Sequence, residues 1–388
     1  MKVILAILTF LPVFLNAQQT LYKTMIHDNV SREYIVYIPA NYNESSPAPL
    51  MLNFHGLNSN GSVHMVLFNK MRPIADTAGF IAVYPTGLPL PALNNSLHWN
   101  VGSWTESSST SDDIGFTEAI IDSIAKDYNI DLDRVYSCGY SNGGFFSFEL
   151  ACQLSDKIAA IGSVAGSMSM KTYTTCNPTH PTPIVSINGT SDDVVYYNGG
   201  NSYENGSKSL PTVNEYWTNL NKLDSHEISS LPNINTSDNS TVELTRYFNG
   251  ENCTSVEHYK VIGGKHHWPR SLVYPTANKD INPSKIIWDF VSKFDKNGLI
   301  GCLPTSTNKR ENSLANTKVY PNPFSDKITF ESNQNSREEF KLFNTLGEIV
   351  LTGFLNSEKV DIDLSFLPVD IYFLQTNHQI VKIVKLNK

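Results

Sequence analysis

Hydrophobic residues in this chain cluster in short runs separated by stretches with helical spacing. "APLMLNFHG" (48–56) and "IAVYPTG" (81–87) are continuous apolar runs ending in turn residues. That pattern marks strands buried on both faces. "REYIVYIPANY" (32–42) alternates and predicts another strand. "DRVYSCG", "IAAIGSVAG", "TPIVSINGTSDD" and "VEHYKVIGG" predict four more between residues 133 and 264. Between them, "NKMRPIADTAGF", "SDDIGFTEAIIDSIAKDYNI", "GGFFSFELACQLSD", "PTVNEYWTNLNKL" and "SKIIWDFVSKF" carry apolar residues at helical intervals. The second of these opens on Asp residues suited to an N-cap. Strands alternating with helices predict an α/β domain over residues 18–297, with a mostly parallel sheet covered on both faces.

The pattern then changes. "CLPTSTNKRENSLANT" (302–317) is polar and aperiodic, and we read a linker over residues 298–316. From 317 to 388, short alternating runs broken by Pro and Asn-Pro predict a small all-β sandwich with no catalytic constellation.

The first residues add a compartment. "MKVILAILTFLPVFLNAQQ" has Lys2, an apolar run of roughly a dozen residues, and Ala17 at a cleavage position. It reads as a signal peptide over residues 1–17, since a bilayer span takes about 20 apolar residues. No later stretch is apolar enough to span a membrane. The net charge of −8 argues against a nucleic-acid partner. An exported chain can hold disulfides, but five cysteines leave at least one unpaired. Cys152 and Cys176 flank one βα unit and are the favoured pair. Cys138, inside a strand, reads as a small buried hydrophobe.

Candidate chemistry begins at Gly139-Tyr140-Ser141-Asn142-Gly143, a G-x-S-x-G between a strand and a helix. A serine at such a corner is thrust above the sheet, and its neighbours must be small because strand and helix pass close together. The Asn142 N–H, at a helix N-terminus, is then a donor for a developing oxyanion. A second donor belongs on the loop after an early strand, where His55-Gly56-Leu57 offers the Leu57 N–H. His55 itself reads as structural. A nucleophilic serine needs a base and an orienting acid, in the chain order Ser, acid, His. Asp192 and Asp193 follow one buried strand, and His266 and His267 follow another. No carboxylate or Cys stands at metal-ligand spacing near the histidines, so no metal site is expected, and a serine–histidine–acid mechanism needs no organic cofactor.

These segments, with "HWNVGS" and "DDIGF", resemble the secreted esterase group that includes polyhydroxybutyrate depolymerases of the LpqC type and the feruloyl and acetylxylan esterases. The likeness spans residues 50–269 and implies an α/β-hydrolase fold. It selects Asp192 as the acid and His266 as the base, with Lys265 standing where the group usually has a third Gly. It also marks Trp268 as lining the substrate cleft, with Trp99 and Asn100 as weaker candidates. The resemblance implies an acyl-enzyme mechanism on feruloyl or acetyl esters of plant cell-wall polysaccharide, or on a hydroxyalkanoate polyester. A peptidase using the same triad and an inactive surface binding protein are the rival readings. The C-terminal segment, with "VYPNPF" and "LFNTLGEIV", resembles the type A sorting domain of the type IX secretion system. That implies contact with the secretion machinery and a final place outside the cell or at its surface.

Overall fold

The computed structural model describes residues 18–102, 109–200, 206–302, 318–331, 338–345, 347–376 and 380–386. The signal segment 1–17 and most of the expected linker lie outside the described residues. The chain divides into two compact units, residues 1–305 and 306–388.

The first unit holds a ten-stranded sheet in the order β1-β2-β4-β3-β7-β8-β9-β12-β11-β10. Six neighbouring strands run parallel: β4 (Ile81–Pro85), β3 (Ala48–Phe54), β7 (Ile130–Tyr140), β8 (Ala160–Val164), β9 (Ile184–Gly189) and β12 (Val256–Ile262). The flanks are antiparallel: β1 (Gln19–His27) and β2 (Val30–Ile38) on one side, β10 (Ser225–Ser230) and β11 (Thr241–Phe248) on the other. A small hairpin, β5 (Leu88–Leu90) and β6 (Ser96–His98), stands outside the sheet.

Helices cover both faces, as the alternation of elements predicts. Because side chains alternate along a strand, Leu50, Leu52 and Phe54 face one core while Met51 faces the other. The first core is closed by α3 (Asp113–Asp127), α4 (Asn142–Gln153) and α6 (Leu210–Leu220), the second by α2 (Met71–Ala78) and α7 (Pro283–Val291). Helix α4 is apolar on nearly every side and is buried along almost its whole length. Shorter helical turns are α1 (Gly61–Val63), continued by a π-helical turn over His64–Phe68, and α5 (Met170–Thr175).

Residues 298–302 belong to this unit, although the linker was expected to begin at 298. Strand β14 (Gly298–Leu299) pairs with β13 (Phe294–Asp295), and Cys302 is bonded to Cys253. A two-residue hairpin is too short to leave a hydrophobic period. The second disulfide is Cys152–Cys176, and Cys138 is free and buried.

The second unit is a sandwich of two antiparallel sheets. One is β15 (Lys318–Tyr320), β16 (Lys327–Glu331) and β19 (Lys359–Asp363). The other is β18 (Ile349–Leu355), β17 (Glu338–Phe343), β20 (Ile371–Gln375) and β21 (Ile380–Val384). Ile328, Phe330 and Ile362 from the first sheet share one core with Leu342, Leu374 and Ile383 from the second.

Candidate active site

Strand β7 ends at Tyr140 and α4 begins at Asn142, which leaves one residue for the reversal. Ser141 makes it with φ 53° and ψ −118°, a region that residues with a Cβ avoid. Neighbours hold it there. The Ser141 N–H donates to Val164 O (2.8 Å), and Ser141 O accepts from the Phe145 N–H (3.0 Å). Glycine supplies the room. A Cβ on Gly139 would lie 2.2 Å from the Gly143 carbonyl, and one on Gly143 would lie 2.2 Å from Phe54 O.

His266 lies beside this corner, with its Nε2 2.9 Å from Ser141 Oγ and its Nδ1 2.8 Å from Asp192 Oδ2. A carboxylate only accepts, so Nδ1 carries the proton and Nε2 is free to accept from the serine hydroxyl. Asp192 is buried, and its other oxygen accepts from the Val194 and Val195 N–H groups at 2.9 and 2.8 Å. Asp193 is exposed. His267 stacks on Tyr274 at 4.3 Å, and among the described residues it bonds to neither Ser141 nor Asp192. Burial lowers its pKa.

The loops that carry Asp192 and His266 are laced together. Ser191 N–H donates to Gly264 O (2.8 Å), and the Gly263 N–H donates to Thr190 Oγ1 (2.9 Å). Lys265, at the position of the group's third Gly, is not among the residues with positive φ, so its backbone does not require glycine. Tyr140 holds His266 from below. Its hydroxyl donates to His266 O (2.8 Å) and its ring stacks under the imidazole at 5.4 Å.

The two expected oxyanion donors sit on segments with braced backbones. The Asn142 side chain is occupied by Trp99, with Oδ1 accepting from the Trp99 N–H (2.7 Å) and Nδ2 donating to Trp99 O (3.0 Å). Its backbone N–H is left at the open start of α4. Across the corner, His55 Nδ1–H donates to Gly56 O (2.7 Å), and His55 Nε2 accepts from the Gly87 N–H (2.9 Å). Carbonyl and N–H point in opposite directions across a trans peptide. Fixing the Gly56 carbonyl therefore fixes the Leu57 N–H. Burial pushes the His55 pKa down to about 4, so the ring stays neutral and keeps its acceptor.

Ser141, His266, Leu57 and Asn142 line a cavity of about 210 Å³ with Gly56, Tyr140, Phe145, Val194, Val195 and Tyr274. Trp99, Asn100 and Trp268, expected in the cleft, are not among its walls. Trp99 is fully buried, stacks on Phe146 at 5.2 Å and donates its indole N–H to His55 O (3.0 Å). It therefore braces from behind both segments that carry the expected oxyanion donors. Trp268 is buried behind the cavity, edge-on to Tyr140 and His64. Asn100 donates its N–H to Asp113 Oδ2 (2.7 Å). Val194, Val195, Phe145 and Tyr274 escaped the sequence reading. For the two valines a signal existed, because residues just after a loop acid are bound to lie near its partner.

Residues 42–231 match the phospholipase/carboxylesterase family, and residues 318–386 match the secretion system C-terminal sorting domain. A bifunctional acetylxylan esterase/xylanase of Neocallimastix patriciarum is 28% identical over 267 residues, covering 69% of this chain and 34% of that protein. Feruloyl esterase B of Piromyces equi is 28% identical over 270 residues, covering 68% of this chain and 45% of its own. The chain thus spans less than half the length of these two curated relatives. An acetyl xylan esterase structure from Aspergillus awamori aligns over 71% of this chain and 99% of its own, with 14% identity and a TM-score of 0.49.

Proposed function

We propose, on the match of residues 42–231 to the phospholipase/carboxylesterase family and of residues 318–386 to the secretion sorting domain, that the chain is an exported serine carboxylester hydrolase. The observation that carries this reading is the unbroken hydrogen-bond line from Ser141 Oγ through His266 to Asp192. His266 Nε2 takes the serine proton as Oγ attacks the ester carbonyl, and Asp192 stabilises the imidazolium. The Leu57 and Asn142 N–H groups receive the oxyanion. His266 then protonates the departing alcohol. Water deprotonated by the same nitrogen attacks the acyl-enzyme and releases the acid and free Ser141. No step calls on a metal or organic cofactor.

The substrates in this reading are feruloyl or acetyl esters of plant cell-wall polysaccharide, and the names of two relatives support it. Residues 1–17 act as a signal peptide, and the sorting domain engages the type IX secretion machinery. The mature protein is released or attached at the cell surface.

The test is Ser141→Ala in the full chain, assayed on p-nitrophenyl acetate and methyl ferulate. The variant should lose turnover and also lose labelling by a fluorophosphonate probe. Full turnover in the variant refutes the mechanism, and an unlabelled wild-type protein points to a catalytically silent scaffold.

A further inference from the structure

A second concavity opens on the same edge of the sheet and has no part in the mechanism above. It is a groove of about 400 Å³. Tyr22, Thr24 and Glu33 on the outer strands β1 and β2 form its floor, and Asn60, Ser62 and Thr86 form its wall. Strand register puts it level with the catalytic corner. Glu33 pairs with Thr24, Tyr34 pairs with Pro85 at the end of β4, and Phe54 pairs with Gly139 just before Ser141. From β7 over β3 and β4 to β2 is three strand spacings, about 14 Å.

Only one turn of chain separates the two concavities. Leu57 lines the catalytic cavity, the next residue donates its N–H to Leu97 O (2.8 Å), and Leu97 lines the groove. A polymer lying over the strand ends would cross that turn and touch both.

Of the groove's polar side chains, Lys23 is paired with Asp127 (2.7 Å) and the Tyr34 hydroxyl lies 3.5 Å from Ser123 Oγ, while others are uncommitted. Among the described residues, no hydrogen bond to the protein engages the hydroxyls of Tyr22, Thr24 and Ser62 or the carboxylate of Glu33. Asn60 Oδ1 caps the Val63 N–H, which leaves its amide nitrogen to donate. Thr86 Oγ1 accepts from the Gly61 N–H and keeps its own proton to give. Tyr22 is 72% exposed, so its ring face is open as well.

This combination selects a ligand. A carboxylate can only accept, so Glu33 wants a partner rich in hydroxyl donors. A hydroxyalkanoate polyester offers carbonyls and methyl groups but no donors, and would leave that carboxylate unpaired. A sugar ring offers several hydroxyls at its rim and a C–H face for the tyrosine.

We propose that this groove is a subsite for the polysaccharide chain that carries the ester, gripping sugar units about three strand spacings from the bond that is cut. The proposal rests on reading the catalytic cavity as an esterase site. It locates the grip on the alcohol side of the substrate, away from the acyl pocket.

The test uses the full chain and the variants Tyr22→Ala and Glu33→Gln, both at exposed positions. Retardation in a gel containing soluble unesterified xylan measures the grip without catalysis. The wild type should be retarded and each variant should run free. For acetylated xylan, KM should rise about tenfold, the equivalent of losing one charge-assisted hydrogen bond. Turnover of p-nitrophenyl acetate should stay unchanged. A wild type that is not retarded, or variants retarded like it with the same KM, overturns the proposal. Tyr22-dependent capture on poly(3-hydroxybutyrate) granules in place of xylan overturns it too. Failure of the esterase reading shows differently, as an absence of Ser141-dependent p-nitrophenyl acetate hydrolysis, and the gel result stands independently of it.

Discussion

His55→Ala probes the oxyanion side of the site without touching the triad. The change removes the Nδ1–H bond to Gly56 O and the acceptor for the Gly87 N–H. The first loss frees the Gly56–Leu57 peptide to rotate, and the Leu57 N–H turns with it. Loss of one oxyanion donor costs about 10²–10³ in kcat, or roughly 3–4 kcal/mol of transition-state stabilisation. The second loss strands a buried N–H, which costs about 1–3 kcal/mol of folding stability. Steady-state kinetics on p-nitrophenyl acetate should show kcat falling by about two orders of magnitude with KM nearly constant. A thermal melt should show a lower Tm with a cooperative transition. His55→Asn separates the effects, because its amide can donate to Gly56 O but cannot take over the Nε2 role. It should recover much of kcat and little of the Tm. A folded His55→Ala protein with kcat within about threefold of wild type refutes the argument that this ring aims the Leu57 donor.

Asp192→Asn keeps the shape of the acid but offers an N–H to His266 Nδ1, which favours the wrong tautomer, and kcat should fall by about 10⁴ on the same ester. Burial holds His55 near a pKa of about 4, and His64 and His258 near about 3. Above pH 6.5 all three are neutral whether folded or unfolded. Below it the unfolded chain takes up protons that the native one refuses, so stability should drop steadily from pH 6.5 towards pH 3 in urea titrations. His258→Asn should flatten part of that slope. Replacing Cys253 and Cys302 together by Ser opens a 49-residue loop and should cost about 4 kcal/mol on chain-entropy grounds, read as a lower Tm. The Cys138 thiol, pushed up to about 12 by burial, should resist maleimide in the native protein and react in denaturant.

The central strands were legible because their apolar runs have no other use. The flanking strand β2 was read from its alternation, but β1, β10 and β11 were not. In β1, "QTLYKTMIH" leaves alternate side chains exposed and half-buried, and β10 carries mostly exposed residues, so neither shows a buried run. They are strands because the sheet edge pairs with them. The serine corner could be read from its glycines, each answering a contact that sterics dictate. That an Asp after one strand and a His after another would meet the serine was equally legible, whereas the choice of Asp192 over Asp193 and of His266 over His267 needed the family resemblance. The tryptophans were placed in the cleft by the family resemblance, and the sequence does not separate a Trp behind a cavity from a Trp in its wall, since both are buried. Trp99 reaches the chemistry only through Asn142 and His55.

The bond between Cys253 and Cys302 also decides how the protein bears tension. A pull on the C-terminal tail enters the first unit at Cys302 and crosses directly through sulfur to Cys253. Residues 254–301 lie within the covalent loop that this bridge closes, and His266, β12 and α7 all fall inside it. A load on the tail therefore need not run along the backbone that carries His266, and passes instead into the backbone before β12.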